Sequence, residues 1–241
     1  MSSLRKLIPT IANSMASAKT DFIRPFTVIV EGNVGSGKTT FLNHFNKYDN
    51  VGVYTEPIEM WRNCNGYNLL ELMYKDPKKW SFTFQSYVQL TMLRQHTRLT
   101  KYPVKLMERS VYSARYCFVE KMERDQLMAA PAIAVIDEWF KFITENENVG
   151  VDLIVYLRTS PEVVYDRILK RNRSEERTIA FDYFKSLHEI HEDWLYHKTL
   201  HKVPAPVIVL NADLDQSVIG EEYEKYEEQI LNKLPVQAHV Y

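Results

Sequence analysis

Short runs of aliphatic and β-branched residues alternate along this chain with stretches whose apolar positions recur at helical spacing. Pro25-Phe26-Thr27-Val28-Ile29-Val30 is the first such run, and it reads as a buried parallel strand. Strands are expected at 26–31, 51–56, 104–108, 152–158 and 206–210. Helical spacing marks 38–47, 67–75, 78–98, 110–123, 132–146, 161–172, 180–200 and 217–232. Pro77, Pro131 and Pro161 sit where a first helical turn accepts proline, and Asp76 and Ser160 stand before two of these turns as N-caps. Strand alternating with helix implies an α/β fold: a five-stranded parallel sheet flanked by helices. Segments 124–131 and 172–179 are expected to be mobile loops. No linker interrupts 25–232, which is read as a single domain between an N-terminal tail (1–24) and a C-terminal tail (233–241).

Composition narrows the partners. At 241 residues and 45% hydrophobic, the chain can build a sizeable core. Its formal charge of −1 argues against bulk nucleic-acid binding, so any positive field is local. Cys64 and Cys117 lie far apart without metal-ligand spacing, as in a reduced compartment. No apolar run approaches membrane-spanning length. Residues 1–20 carry Arg5, Lys6 and Lys19, hydroxyls at Ser2, Ser3, Thr10, Ser14 and Ser17, and no acid before Asp21. They read either as a transit peptide or as a tail before the first strand. An intracellular protein is expected, in the cytoplasm or nucleus, with the mitochondrion as the alternative.

The decisive chemistry is at 32–39. Gly32-Asn33-Val34-Gly35-Ser36-Gly37-Lys38-Thr39 fits G-x-x-x-x-G-K-[ST], a phosphate-binding loop between a strand and a helix. Glycines let successive backbone N–H groups turn toward one anion. Lys38 supplies positive charge for the terminal phosphates, and the Thr39 hydroxyl is placed to ligate Mg²⁺. In open α/β sheets ligands bind beyond the carboxyl ends of strands, which directs attention to Glu56, Glu108-Arg109 and Arg158. Two short matches tempt a GTPase reading, Asn46-Lys47-Tyr48-Asp49 and Asp49-Asn50-Val51-Gly52, but both fall in the turn after the first helix and read as a polar helix end.

A small-molecule kinase needs a base for an acceptor hydroxyl and cations for the transferring phosphoryl group. Glu56 suits the first role. Arg167, Lys170, Arg171 and Arg173 form a cationic cluster at a helix end, either a segment closing over the γ-phosphate or a solvated basic face. Within 78–98, Trp80, Phe84, Tyr87, Val88 and Met92 line one side, mostly as core. Gln85 stands among them with an amide that complements a pyrimidine edge, beside a ring that can stack.

These residues together resemble the deoxynucleoside kinases. The resemblance rests on E-G-N-V-G-S-G-K-T-T, Thr55-Glu56-Pro57 with Trp61, Phe84-Gln85, Glu108-Arg109-Ser110, Arg167/Arg171/Arg173 and His191-Glu192-Asp193-Trp194-Leu195, in family order over about residues 25–215. Within the family the chain is most similar to the insect multisubstrate and mitochondrial thymidine kinase branches. The resemblance implies γ-phosphoryl transfer from ATP, with Mg²⁺, to the 5′-hydroxyl of a deoxynucleoside. It implies Glu56 as base, Arg109 holding the hydroxyl and phosphoryl group, and Lys38 on the phosphates. Gly32, Asn33, Val34, Gly35, Ser36, Gly37, Thr39 and Thr40 would cradle the phosphates. Thr39 and Glu108 would hold Mg²⁺, with Glu where many relatives have Asp. Arg167, Arg171 and Arg173 would form the lid, and Asp213 would contact adenine.

For the nucleoside, the resemblance implies Gln85 on the base edge between Phe118 and Trp61 with Phe84, and Leu70 and Met73 in the substrate pocket. Tyr74 and Glu176 would bind the 3′-hydroxyl. Val88, Met92 and Ala114 match the positions that set base choice. All three are apolar or small, so thymidine and deoxycytidine are expected to be preferred over purines. A homodimer through helices near 110–145 and feedback binding of a deoxynucleoside triphosphate, thymidine triphosphate first, are also implied. No nucleic-acid or membrane partner is expected.

Two rivals remain at this stage. A nucleoside monophosphate kinase would need a further cationic site, for which no arginine pair stands out. A non-catalytic nucleotide-binding switch would lack acceptor-dependent turnover. His188 and His191 miss H-E-x-x-H, because position 192 is Glu, and read as a polar helix face. Asn172-Arg173-Ser174 fits a glycosylation sequon that an intracellular enzyme would not use.

Overall fold

Five strands pair in parallel in a computed structural model that describes residues 24–173, 179–215 and 217–233. They are β1 (Phe26–Glu31), β2 (Val51–Tyr54), β3 (Val104–Glu108), β4 (Leu153–Arg158) and β5 (Val207–Asn211), in the sheet order β2-β3-β1-β4-β5. The register places Val28 opposite Leu106 of β3 and Leu153 of β4. Period-two alternation sorts each strand's side chains between two cores. Val28, Val30, Leu153 and Val155 pack with Phe41, Phe45 and Tyr223 on one face. Ile29, Ile154 and Tyr156 pack with Leu187, Ile190 and Trp194 on the other. A third apolar cluster, including Trp61, Phe84, Met92, Val111 and Ile136, builds the wall of the site. Each fully buried large side chain in these clusters contributes about 1.5–3 kcal/mol.

The helices are α1 (Lys38–His44), α2 (Ile58–Arg62), α3 (Leu69–Lys75), α4 (Pro77–Thr97), α5 (Val111–Ser113), α6 (Glu120–Arg124), α7 (Ala130–Asn146), α8 (Pro161–Arg171), α9 (Phe181–His191), α10 (Ile219–Glu224) and α11 (Glu227–Ile230). Prolines stand in the first turns of α4, α7 and α8 as expected. Asp76 caps α4 by accepting the N–H of Lys79 at 3.3 Å. Ser160 does not cap α8 with its side chain: its hydroxyl donates to Asp213 instead, at 3.1 Å.

Several boundaries differ from the sequence pattern. The expected helix 110–123 is α5 and α6 joined by π-helical residues Ala114–Val119. The expected helix 180–200 is α9 followed by a π-helical stretch, Glu192–Tyr196. The segment 217–232 holds two short helices, and α2, which carries Trp61, has too few residues to show a period. Strand β2 ends at Tyr54, so Glu56 lies two residues beyond it. The tail reading of residues 1–23 and 234–241 lies outside the described residues, as do 174–178 of the loop expected at 172–179. No helix among the described residues is long and apolar enough to cross a membrane.

The carboxyl end of α4 is clamped from below. Buried Lys105 of β3 donates to the carbonyls of Gln95, His96 and Arg98 at 2.6, 2.7 and 3.1 Å. A helix leaves its last carbonyls without intrahelical partners and carries partial negative charge there, so one ammonium satisfies three acceptors. Burial, then nearby Arg98, pulls the Lys105 ammonium down to about 8. His96, in the same turn, accepts the N–H of Val111 at 3.3 Å through Nε2. This ties α4 to the helix that follows Glu108-Arg109-Ser110.

Burial, and then the Lys105 charge, hold His96 down to about 3. The native protein therefore binds fewer protons here than the unfolded chain between pH ~6.5 and ~3. The stability that neutral His96 supports is complete above that window and is lost as pH falls through it. His96→Gln removes this titration. The stability gap between wild type and variant should narrow below pH 6.5 by up to ~1.4 kcal/mol per pH unit. Urea unfolding at neutral and mildly acid pH measures it; a constant gap would show that His96 takes up a proton as readily in the folded state as in the unfolded chain.

Candidate active site

Backbone geometry makes the anion cradle. Gly32 leaves β1 at φ +144°, and Gly37 enters α1 at φ +92°. A Cβ on Gly32 would lie 2.7 Å from the Leu157 carbonyl oxygen, so the close approach of β4 adds a second bar to any side chain there. Lys38 folds back into the loop it follows, with Nζ donating to the carbonyls of Asn33 at 2.7 Å and Gly32 at 3.3 Å. Burial, then Arg109, pulls Lys38 down to about 8, against Glu108, Glu56 and Glu31. The Asn33 amide is structural: it donates to the Phe184 carbonyl at 2.7 Å and accepts from Val34 N–H at 2.8 Å.

Three neighbouring strands bring acids and a base to this loop. Glu31 ends β1, Glu108 ends β3, and Glu56 follows β2. Arg109 comes directly after β3 in a left-handed conformation, φ +61°. Its Nε lies 2.7 Å from Glu56 and its Nη1 4.0 Å from Glu31, and its guanidinium stacks over the Phe118 ring at 4.6 Å. The Thr39 hydroxyl lies 3.5 Å from Glu108 Oε1, and the Glu56 N–H donates to Glu108 Oε2 at 3.4 Å. Burial, then the adjacent Glu56 charge, raises the Glu108 carboxyl above the usual range. Two hard oxygen donors beside an under-neutralised carboxylate are the chemistry that a divalent cation relieves.

Glu31 is the acid whose role the sequence left unread. It is fully buried, its Oε1 accepts from the Ser110 hydroxyl at 2.7 Å, and burial pushes its carboxyl up to about 7 against Arg109, Ser110, Ser113 and Lys38. Its position just before the glycine loop and the hydroxyls of Ser110-Val111-Tyr112-Ser113 were the available signals. Ser110 and Ser113 close a reciprocal capping box on α5, which orients Ser110 toward Glu31.

A cleft is lined by Glu56, Trp61, Leu70, Met73, Tyr74, Phe84, Gln85, Val88, Met92, Arg109, Ala114 and Phe118. Arg62, Met122 and Tyr183, which sequence reasoning did not assign, also reach it. Gln85 is buried, with Oε1 lacking a hydrogen-bond partner among the described residues. Trp61 meets Phe84 edge-on at 5.7 Å, and its indole N–H donates to Thr91 of α4 at 2.8 Å. A second groove, lined by Gly35, Ser36, Gly37, Lys38, Thr39 and Thr40, carries Arg167, Arg171 and Arg173 on its far side. Gly35, Lys38, Thr39, Glu108, Arg171 and Arg173 line both spaces, so the two meet at the end of the phosphate loop.

Other expected residues fall elsewhere or are otherwise engaged. Arg158 is not in either space; it makes a two-pronged pair with Glu192, at 2.7 and 3.0 Å. One oxygen of Asp213 accepts both the N–H and the hydroxyl of Ser160, which fixes the 211–215 loop against α8. Arg167 also donates to the Leu214 carbonyl at 3.1 Å. Glu176 lies outside the described residues. The His191 ring is buried, with Nδ1 against the Leu187 carbonyl at 2.7 Å. Lys47 and Tyr48 of the GTPase-like match bind Glu227 of α11.

The sequence profile of the family described as "Deoxynucleoside kinase" matches residues 28–236. Human "Thymidine kinase 2, mitochondrial" is 48% identical over 85% of this chain and 77% of its own length. Human "Deoxycytidine kinase" is 31% identical over 89% of this chain and 93% of its own length. "Deoxyguanosine kinase, mitochondrial" of Xenopus laevis is 32% identical over 90% of this chain and 93% of its own length.

Thr91→Val keeps the side-chain shape and deletes the acceptor of the Trp61 indole. The buried N–H is then unpaired, which should lower unfolding stability by about 1–3 kcal/mol. Urea midpoints monitored by tryptophan fluorescence check this, and an unchanged midpoint would mean that Thr91 does not hold Trp61.

Proposed function

The chain belongs to the deoxynucleoside kinase family, and from that premise we propose how its own residues carry out nucleoside phosphorylation for salvage. It is a kinase, with ATP as phosphoryl donor. The observation that carries the mechanism is the junction of the two spaces, where Lys38, Glu108, Arg171 and Arg173 face both. A triphosphate on the glycine loop and a nucleoside in the cleft would meet there, γ-phosphorus against the 5′-hydroxyl.

Glu56 takes the hydroxyl proton as the 5′-oxygen attacks. The new oxygen–phosphorus bond forms while the bond from the γ-phosphorus to its bridging oxygen breaks, and that electron pair leaves on ADP. Lys38, Arg109 and the lid arginines meet charge that spreads over the phosphoryl oxygens. Thr39 and Glu108 would hold Mg²⁺, whose charge, when bound, neutralises the phosphates.

Base choice follows from the cleft wall. Among the described residues that line it, Gln85 offers a buried amide, and Val88, Met92 and Ala114 leave an apolar space that accepts the thymine methyl. Thymidine and deoxycytidine are therefore the preferred acceptors. Relatives named for thymidine, deoxycytidine and deoxyguanosine support a nucleoside over a nucleoside monophosphate. A deoxynucleoside triphosphate spanning cleft and groove through the junction would occupy both sites, which supports feedback inhibition by thymidine triphosphate. The enzyme works inside the cell, in the cytoplasm or nucleus, with the mitochondrion as the alternative that residues 1–20 would direct.

Helix α7 supports a homodimer. Val135, Trp139 and Phe142 remain 47, 58 and 50% exposed on one apolar patch, and a second copy of this surface would cover them. Trp139→Glu should convert a dimer to a monomer in sedimentation; a wild-type sedimentation coefficient that already matches one chain would overturn the dimer.

The activity test runs wild type and Glu56→Gln side by side with ATP–Mg²⁺ and each of thymidine, deoxycytidine, deoxyadenosine, deoxyguanosine and thymidine monophosphate. Wild type should turn over the nucleosides, pyrimidines first. Glu56→Gln should lose about 10²–10⁴-fold in kcat, the range for a general base, with ATP affinity retained. Turnover of the monophosphate alone, or a fully active Glu56→Gln, would overturn the assignment.

A further inference from the structure

Arg109 lies between two carboxylates, and the reaction proposed above removes the charge of one of them. In the structure Nε of Arg109 is 2.7 Å from Glu56. When Glu56 takes the acceptor's proton it becomes neutral, and Arg109 loses its nearest counter-charge at the moment its own charge is needed at the phosphoryl group. Among the described residues, the other carboxylate within 4.0 Å of Arg109 is Glu31. Glu31 Oε2 and Arg109 Nη1 are both buried without a hydrogen-bond partner among those residues, at opposite ends of that 4.0 Å gap.

We propose that Glu31 is a positioning residue for phosphoryl transfer, the counter-charge that holds the Arg109 guanidinium in place while Glu56 is protonated. The geometry on the other side of Glu31 fits this task. Its Oε1 is fixed by the Ser110 hydroxyl at 2.7 Å, and Ser110 follows Arg109 directly in the chain. The carboxylate therefore has one oxygen anchored and one turned to the arginine. A buried acid with an unpaired oxygen costs stability, so packing does not explain it. The Arg109 charge favours the ionised form of this carboxyl, against the larger effect of burial.

This inference rests on the assignment of Glu56 and Arg109 above, and its test separates the two. Glu31→Gln keeps the volume and an amide oxygen for Ser110 but deletes the charge. With thymidine and ATP–Mg²⁺, kcat should fall about tenfold or more, the scale of losing one charged partner. KM for both substrates should stay within about twofold, and kcat should stay low well below the variant's own melting temperature, which separates the role from any stability lost by breaking the buried Glu31–Arg109 pair. Glu31→Asp, with the charge drawn back by one methylene, should recover part of the turnover. In an Arg109→Lys background, Glu31→Gln should cost less than it does in wild type. Wild-type kcat in Glu31→Gln, or a loss that merely follows a lower melting temperature, would overturn the role. If Glu31→Gln does not fold, Glu31→Asp decides alone: reduced kcat at unchanged KM and melting temperature supports the role, and wild-type kcat removes it. Failure of wild type to phosphorylate any nucleoside would instead overturn the reaction itself.

Discussion

Two buried cations and three buried or half-buried carboxylates meet at the ends of β1, β2 and β3, and their mutual neutralisation is the constraint on which the site depends. Glu31 and Lys38 flank the glycine loop, Glu56 follows β2, and Glu108 and Arg109 are consecutive at the end of β3. Taking each charge out of water costs several kcal/mol unless partners return it. Lys38 is pulled down to about 8 while Glu31 is pushed up to about 7, so the cluster is held short of full satisfaction. That residual imbalance is suited to a ligand that brings its own charges: a polyanionic triphosphate accompanied by a divalent cation. Perturbed groups of this kind concentrate at functional sites because function, rather than stability, keeps them there.

The rest of the fold holds those five side chains in register. Parallel pairing aligns Val30 of β1 with Glu108 of β3, so the carboxyl ends of the two strands finish level. Helix α4 carries Phe84, Gln85, Val88 and Met92 along one wall. Its far end is fixed by Lys105, and through His96 it is joined to the turn after Arg109. The residues proposed for base recognition and for phosphoryl transfer thus share one rigid frame. Distances between them are set by buried side chains bonded to backbone groups, as a preorganised site requires.

The strands and the glycine loop were legible because their signals are local. Five β-branched runs correspond to the five strands, and the loop's residue types follow from backbone conformations that only glycine adopts readily. Helix ends were less legible. The π-helical stretches Ala114–Val119 and Glu192–Tyr196 leave no mark in a 3.6-residue period, and α2 has five residues, too short to show one. Ser160 looks like a cap in sequence, yet Asp213, more than fifty positions away, claims its hydroxyl. Arg158 ends a strand as Arg109 follows one, but Glu192 draws it away from the cleft.

The sequence by itself determined a phosphate loop and singled out as candidates a base, lid arginines and an amide among apolar residues, each by type and by spacing to near neighbours. Tertiary structure alone decided which acids act together. The role proposed for Glu31 depends on a 4.0 Å approach to Arg109, and the clamp made by Lys105 on three carbonyls at the end of another element. Such roles arise from burial and from contacts across the sheet. Neither leaves a period or a motif, because solvation and long-range distance belong to the folded chain and not to the order of its residues.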